Sequence, residues 1–318
     1  MAREDFGACF ANRRLLLTEA AVGLRLEREF GISPDPDVYY AGLIYDGRAR
    51  RALATLYRQY IGIAREFGLP ILLMTNTRRA NRERVSRSAF RNCDIMGDWV
   101  RFLRDVASDY ECAYVGGMLG CKNDAYTGEG ALDAAEAEAF HAWQAAEFGR
   151  ERPDFLIEGI MPNAQEAIGL SRAAGQLELP YIVSLMVRRD GRLPDGNTLH
   201  GAIDLIDGAT SRKPLCYMSN CVHPNVLRSA LSLEQNRTES VRRRYMGLQA
   251  NAADLDPNAL DRSAALRTSS PEELAGRFAA LCREFPLRIC GGCCGTADRH
   301  LREIARRLTE LIDMGDGK

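Results

Sequence analysis

Eight short apolar segments, separated by helical segments, constrain the fold of this 318-residue chain more than any other feature. Residues 71–74 are typical: a continuous apolar run that follows a helical pattern at 48–67. Uninterrupted apolar runs are typical of parallel strands covered on both faces, and their alternation with helices predicts a parallel sheet. Eight such units in a chain of this length match a closed barrel. We therefore predict the α/β class and a single (β/α)8 TIM barrel domain over residues 1–318.

An open, doubly wound sheet is the alternative arrangement of the same elements. Such a sheet normally carries a glycine-rich phosphate turn after an early strand. The chain contains neither a G-x-G-x-x-G motif nor a Walker A motif. The barrel is therefore preferred.

Composition and charge limit the classes of partner. The chain is 46% hydrophobic and 27% charged, with a net charge of −1, which argues against nucleic acid or an anionic membrane as the main partner. No segment reads as a signal peptide or a membrane span. Ten cysteines without a secretion signal favour reduced thiols and a cytoplasmic location.

Two adjacent cysteines, Cys293 and Cys294, lie in a Gly-Gly-Cys-Cys-Gly-Thr motif at 291–296, where the last apolar run ends. Neighbouring side chains on a straight strand point to opposite faces, so joint action requires a turn, which the glycines permit. Such a pair is a pair of reduced bystanders, a strained vicinal disulfide or part of a zinc site. Reactive zinc sites usually have three protein ligands and an open position. Cys221, where the sixth run ends, is the best third donor.

Polar residues follow several of the other predicted strands. In a barrel these strand ends meet on one face, where the reactive groups of such folds lie. For any single residue, a helix cap or a loop contact is the simpler interpretation. The strand-end residues are Glu19, Asn76, Glu158, Asn220, Cys221, Asn251, Cys293 and Cys294.

Together these motifs resemble the homocysteine S-methyltransferase family, over residues 15–311. That family includes the betaine-dependent enzyme, the S-methylmethionine-dependent enzymes and the catalytic module of cobalamin-dependent methionine synthase. The motif at 291–296 and the pair Asn220-Cys221 carry most of the resemblance. The resemblance implies that Cys221, Cys293 and Cys294 bind Zn²⁺ and leave a fourth position for the substrate sulfur.

The resemblance also implies a substrate site. Glu19 stands where the family has an aspartate, and Glu158 matches a glutamate implied to hold the substrate ammonium. Asn76 and Asn220 lie in matching strand-end motifs and are assigned to the substrate. Tyr40 replaces a tryptophan near the methyl donor, where an aromatic face would attract a cation.

We therefore expect a zinc-dependent S-methyltransferase that moves a methyl group from a small onium donor to the thiolate of homocysteine or a related thiol, forming methionine. The donor is S-methylmethionine, S-adenosylmethionine or betaine, and no catalytic residue beyond the zinc ligands is needed. One alternative passes methyl groups to a separate corrinoid protein, and another is a non-catalytic zinc or thiol sensor. The expected partners are a small thiol and a methyl donor, and homo-oligomer formation is left open.

Overall fold

The computed structural model describes residues 3–256 and 268–316, and its strands form one closed parallel barrel. Each strand pairs with the next, and the first pairs with the last, at Leu16 with Ile289 and Leu17 with Cys290. This order confirms the predicted (β/α)8 fold. The strands are β1 (Leu16–Thr18), β2 (Ile71–Met74), β3 (Ala113–Leu119), β4 (Phe155–Met161), β5 (Tyr181–Leu185), β6 (Cys216–Val222), β7 (Tyr245–Ala250) and β8 (Ile289–Gly292).

Helices follow the strands, and most of those described begin at a side-chain cap, although the helix at Gly23–Phe30 does not. Ser270 caps the helix that precedes β8: its Oγ accepts from Glu273 N at 3.2 Å, and Pro271 is the first helical residue. The described α-helices are α1 (Phe6–Asn12), α2 (Gly23–Phe30), α3 (Gly47–Glu66), α4 (Arg82–Arg87), α5 (Ile95–Val106), α6 (Ala134–Glu151), α7 (Ala164–Gly175), α8 (Leu199–Ala209), α9 (Pro224–Ser232), α10 (Glu239–Arg244), α11 (Pro271–Glu284) and α12 (Asp298–Asp316).

Two buried clusters follow from the alternation of side chains along the strands. Leu16, Met74 and Ile289 pack together inside the barrel, while their neighbours Leu17 and Leu73 pack outward with the helices. Helix α1 closes the amino end of the barrel, because its Phe6 ring stacks at 4.5 Å on Phe155, the first residue of β4. The site lies at the opposite end of the barrel, where the carboxyl ends of the strands meet.

Local boundaries differ from the prediction in short elements. The sequence pattern does not indicate α1 or α2, and it favours helical structure throughout residues 81–108, which the structure divides into α4 and α5. Short helices depend on tertiary packing more than on local propensity, so a single sequence indicates them weakly. None of the described helices combines the length and the apolar character that a membrane span needs.

Candidate metal centre

Three cysteine sulfurs meet at the carboxyl end of the barrel. The Sγ atoms of Cys221, Cys293 and Cys294 lie within 4.8 Å of one another, although Cys221 comes from β6 and the other two follow β8. Cys221 adopts a left-handed backbone with φ of 63°, and the β6–β7 register shifts between Asn220 and Val222. Because of this irregularity, Cys221 does not follow the regular alternation of strand side chains. Its side chain instead meets the pair of cysteines that follows β8.

The turn after β8 depends on its glycines. A Cβ at Gly292 would lie 2.3 Å from Thr296 Oγ1, and Gly295 has a φ of +78°. The backbone is held by Cys293 N, which donates to Ala250 O at 2.7 Å, and by Thr296 Oγ1, which donates to Cys293 O at 2.6 Å. The strand therefore ends in a fixed turn that brings both neighbouring thiols to the sulfur cluster.

Two further side chains contact the buried Cys221 sulfur. Asn251 Nδ2 lies 3.3 Å from it, and the Tyr126 hydroxyl lies 3.4 Å from it. Asn251 follows β7, so its strand-end position predicted that it would lie at the carboxyl end of the barrel. Tyr126 belongs to the loop between β3 and α6, and no sequence pattern singled it out.

The three thiols compete for one negative charge. Hydrogen bonds from Cys293 and Cys294 lower the pKa of Cys221, whereas the contact with Cys221 raises the pKa of Cys293. A divalent cation removes this conflict because it stabilises all three thiolates at once. Sulfur donors at this separation fit a soft or borderline metal such as zinc.

A chain of buried polar groups crosses the strand ends beside the sulfurs. Ser184 Oγ donates to Asn220 Oδ1 at 2.5 Å, and Asn220 Nδ2 donates to Gln249 Oε1. Gln249 Nε2 in turn donates to the backbone oxygen of Glu19 at 3.4 Å. The structure therefore places Asn220 between β5 and β7, within a network that links the strand ends to β1.

The Glu19 carboxylate is buried and lacks a cationic partner among the described residues. Its two oxygens accept from Met74 N at 3.2 and 3.3 Å. Burial raises the pKa of Glu19 to about 8, which the hydrogen bond from Met74 only partly offsets. A cation brought to this carboxylate by a ligand would favour its ionised form.

Glu19 should make the stability of the ligand-free protein depend on pH. Its folded-state pKa of about 8 lies above the ordinary value of 4.5, so between these values the folded protein retains a proton that the unfolded chain has lost. The free energy of unfolding should therefore fall as pH rises, by at most about 1.4 kcal/mol per unit, and level off above pH 8. Urea unfolding of wild type and Glu19→Gln checks this, because a stability difference that stays constant over this range would contradict it.

The side chain of Glu158 points away from the barrel interior. Phe155 and Ile157 face the barrel interior, while the intervening Leu156 and Glu158 face the helical layer. Ser171 Oγ on α7 donates to both Glu158 oxygens, at 2.9 and 3.1 Å. Burial raises the pKa of Glu158 well above its ordinary value. The structure does not bring this carboxylate to the sulfur cluster, and its contact with a substrate ammonium stays a prediction.

Asn76 and Tyr40 are both held by neighbouring side chains. Asn76 Nδ2 donates to the Tyr57 hydroxyl at 2.7 Å, just beyond the end of β2. The Tyr40 hydroxyl donates to the Glu27 carboxylate, and the Tyr40 ring lies 5.2 Å from the Tyr39 ring. Burial and then Glu27 raise the pKa of Tyr40, and the negative charge of the Cys294 thiolate adds a smaller contribution. The Tyr40 ring packs against the first residue of α2, since a Cβ at Gly23 would lie 2.3 Å from it.

Comparison with known proteins gives a family and a fold. The family described as homocysteine S-methyltransferase matches residues 16–308. The metallated crystal form of the homocysteine methyltransferase MmuM from Escherichia coli has a TM-score of 0.73 and 18% identity, covering 94% of this chain and 98% of that one. The oxidized form of the same protein has a TM-score of 0.72 and 17% identity, covering 94% and 97%. At this identity the likeness shows the fold.

Two curated methionine synthases match over a short stretch. The Mycobacterium tuberculosis protein is 44% identical over 41 residues, which are 13% of this chain and 3% of that protein. The Mycobacterium leprae protein is 44% identical over 43 residues, 14% of this chain and 4% of that protein. The matched stretch is thus a small fraction of these relatives.

Proposed function

This chain belongs to the homocysteine S-methyltransferase family and is a methyltransferase, and on that premise we propose that it transfers a methyl group from a small onium donor to the thiolate of homocysteine or a related thiol. The product with homocysteine is methionine. The observation that carries the proposal is the meeting of the Cys221, Cys293 and Cys294 sulfurs within 4.8 Å at the carboxyl end of the barrel.

These three cysteines would hold a zinc ion. MmuM from Escherichia coli, which has the same fold, has a metallated form, and this supports a bound metal. When bound, zinc would keep the thiol of the acceptor deprotonated at neutral pH and so make it a nucleophile. Tyr126 and Asn251 would hydrogen-bond to the Cys221 thiolate and hold its sulfur in place.

The remaining residues would bind the two substrates. The Glu19 carboxylate, buried without a cationic partner in the described part of the chain, suits the ammonium group of an amino-acid acceptor. Asn220 and Asn76 would line the same mouth, where hydrogen bonds fix their side chains. The face of Tyr40, whose ring lies 5.2 Å from the Tyr39 ring, suits the positive centre of an onium donor. S-methylmethionine is the first choice of donor, with betaine second.

A direct assay tests the proposal. Purified, zinc-loaded protein is incubated with homocysteine and either S-methylmethionine, S-adenosylmethionine or betaine, and methionine is measured. Methionine formation with any of these donors supports the proposal. Transfer that occurs only when a corrinoid protein is added would replace it with the corrinoid reaction. Zinc binding without methyl transfer from any donor would favour a sensor.

Tyr126→Phe should weaken zinc binding about tenfold, the lower end of what losing an outer partner of a metal ligand costs. The substitution removes the hydroxyl that contacts Cys221 Sγ at 3.4 Å and retains the ring. Competition with a chromophoric chelator measures the zinc affinity. Tyr110→Phe is the matched control, because the Tyr110 hydroxyl donates to Leu69 O at 2.8 Å, before β2 begins. An equal loss in both variants would count against a specific role of Tyr126.

A further inference from the structure

A single buried carboxylate holds both ends of the loop that carries Tyr126. Glu166 lies in the first turn of α7, and its side chain is 1% exposed. One of its oxygens accepts from Lys122 N at 2.7 Å, and the other accepts from Leu132 N at 3.4 Å. The loop between β3 and α6 is therefore tied at residues 122 and 132 to one side chain on a helix outside the loop.

A third contact fixes the same carboxylate. His141 Nε2 on α6 lies 3.2 Å from Glu166 Oε1, and the His141 side chain is fully buried. A buried carboxylate needs such polar partners, because taking it out of water costs free energy that its contacts must offset. The position of Glu166 is therefore fixed relative to α6, and the loop is fixed to Glu166.

Inside the loop, Asp124 fixes the turn that presents Tyr126. Its Oδ1 atom accepts from Tyr126 N at 2.8 Å and from Thr127 N at 2.7 Å. The loop also packs on the connection between β5 and α8, since a Cβ at Gly128 would lie 3.3 Å from Pro194 Cβ. Because β4 lies between β3 and β5 in the barrel, the loop crosses the end of β4.

Tyr126 carries this crossing as far as the sulfur cluster. Its hydroxyl lies 3.4 Å from the Sγ atom of Cys221, which belongs to β6, three strands away from β3. Residues 122–132 contain no helix or strand that would hold the loop by itself. Fixing the ends of such a loop removes most of its conformational freedom. The contact between Tyr126 and Cys221 therefore depends on the anchor at Glu166.

We propose that Glu166 is a positioning residue for the metal centre. It acts through Tyr126: by tying residues 122 and 132 to α7, it keeps the Tyr126 hydroxyl within hydrogen-bonding distance of the Cys221 sulfur. The side-chain contacts of Glu166 are with the loop and with His141, so the effect of losing its charge should reach the sulfurs through the loop. The inference rests on the proposed function, since it concerns the zinc site of that proposal.

Amide exchange tests the anchor in the wild-type protein. The amides of Lys122 and Leu132 should exchange slowly, because each donates to a buried carboxylate. In Glu166→Gln both should exchange about tenfold faster, since the glutamine side chain has one oxygen for two donors. Wild-type exchange at the rate of an unstructured peptide would show that the anchor does not form, and would overturn the proposal.

Zinc affinity tests whether the anchor serves the metal centre. In competition with a chromophoric chelator, Glu166→Gln should bind zinc about tenfold more weakly than wild type, as expected for Tyr126→Phe. The double variant should be no weaker than Tyr126→Phe alone, because both substitutions remove the same contact. Independent effects would instead multiply to about 100-fold. That result, or an unchanged affinity in Glu166→Gln, would overturn the proposal.

Ser171→Ala is the matched control. Ser171 is also buried on α7, and its Oγ donates to the Glu158 carboxylate at 2.9 Å. Both substitutions should lower stability by breaking a buried hydrogen bond on the same helix, but only Glu166→Gln releases the loop. An equal loss of zinc affinity in Ser171→Ala would assign the effect to a general loss of packing and overturn the role of Glu166.

Failure of the anchor and failure of the proposed function give different results. Wild-type protein that forms methionine, with a zinc affinity that Glu166→Gln does not change, overturns the role of Glu166 and leaves the proposed function standing. Wild-type protein that neither binds zinc nor forms methionine with any donor overturns the proposed function, and the role of Glu166 at the metal centre with it.

Discussion

Replacing Cys221 by serine should remove zinc and reduce methyl transfer by more than about 100-fold, the upper end of what losing even an outer partner of a metal ligand costs. The serine hydroxyl is not ionised at neutral pH, so only the Cys293 and Cys294 thiolates would remain as anionic donors. The three sulfurs lie within 4.8 Å, and no other group of metal-binding side chains was found among the described residues. Metal analysis by mass spectrometry, together with the methionine assay, checks both effects.

Cys290→Ala is the matched control for this experiment. Cys290 lies on β8, three positions before Cys293, but its side chain is fully buried in the outer core beside the helices. Losing its sulfur should lower stability by about 1 kcal/mol and leave the zinc content unchanged. Zinc retained in Cys221→Ser, or lost to the same extent in Cys290→Ala, would show that the cluster is not the metal site.

The barrel was predictable because its strands are covered on both faces. Such strands read as uninterrupted apolar runs, and the run at residues 71–74 coincides with β2. The ends of strands were less certain: the sequence favours a first strand over residues 15–20, but β1 covers only Leu16–Thr18. Strand ends depend on pairing with neighbours that are far away in sequence, and a single run carries no information about that pairing.

The sulfur cluster was indicated by position rather than by any one motif. Cys221 and the pair Cys293–Cys294 each follow a predicted strand, and a closed parallel sheet brings such ends together. The sequence also showed that glycines flank the pair, which is what its turn requires. Fold and cluster therefore follow from the same pattern.

The sequence did not indicate which loop residues contact the site or which way the strand-end side chains point. Tyr126 lies 95 residues before Cys221 in a connection without periodicity, so its contact with the sulfur had no signal. The facing of Glu158 depends on the register of β4, which shifts between Glu158 and Met161. A strand-end position thus indicates proximity to the mouth, but not the direction of a side chain.

Glu19→Gln should raise the KM for homocysteine about 10- to 100-fold, because it removes the negative charge that we assign to the substrate ammonium. The amide retains the size of the side chain, so kcat should change much less than KM. Steady-state assays with a saturating methyl donor give both constants. An unchanged KM would show that the ammonium binds elsewhere.

Glu19→Asp separates charge from reach in the same assay. The aspartate keeps the negative charge and restores the residue that the family resemblance places at this position. Its shorter side chain should weaken the hydrogen bond from Met74 N, now at 3.2 to 3.3 Å, and so free the carboxylate for a ligand. We therefore expect kcat/KM for homocysteine to rise above that of wild type. Equal or lower kcat/KM would mean that the longer glutamate suits the natural acceptor, and that this acceptor differs from homocysteine in the position of its ammonium group.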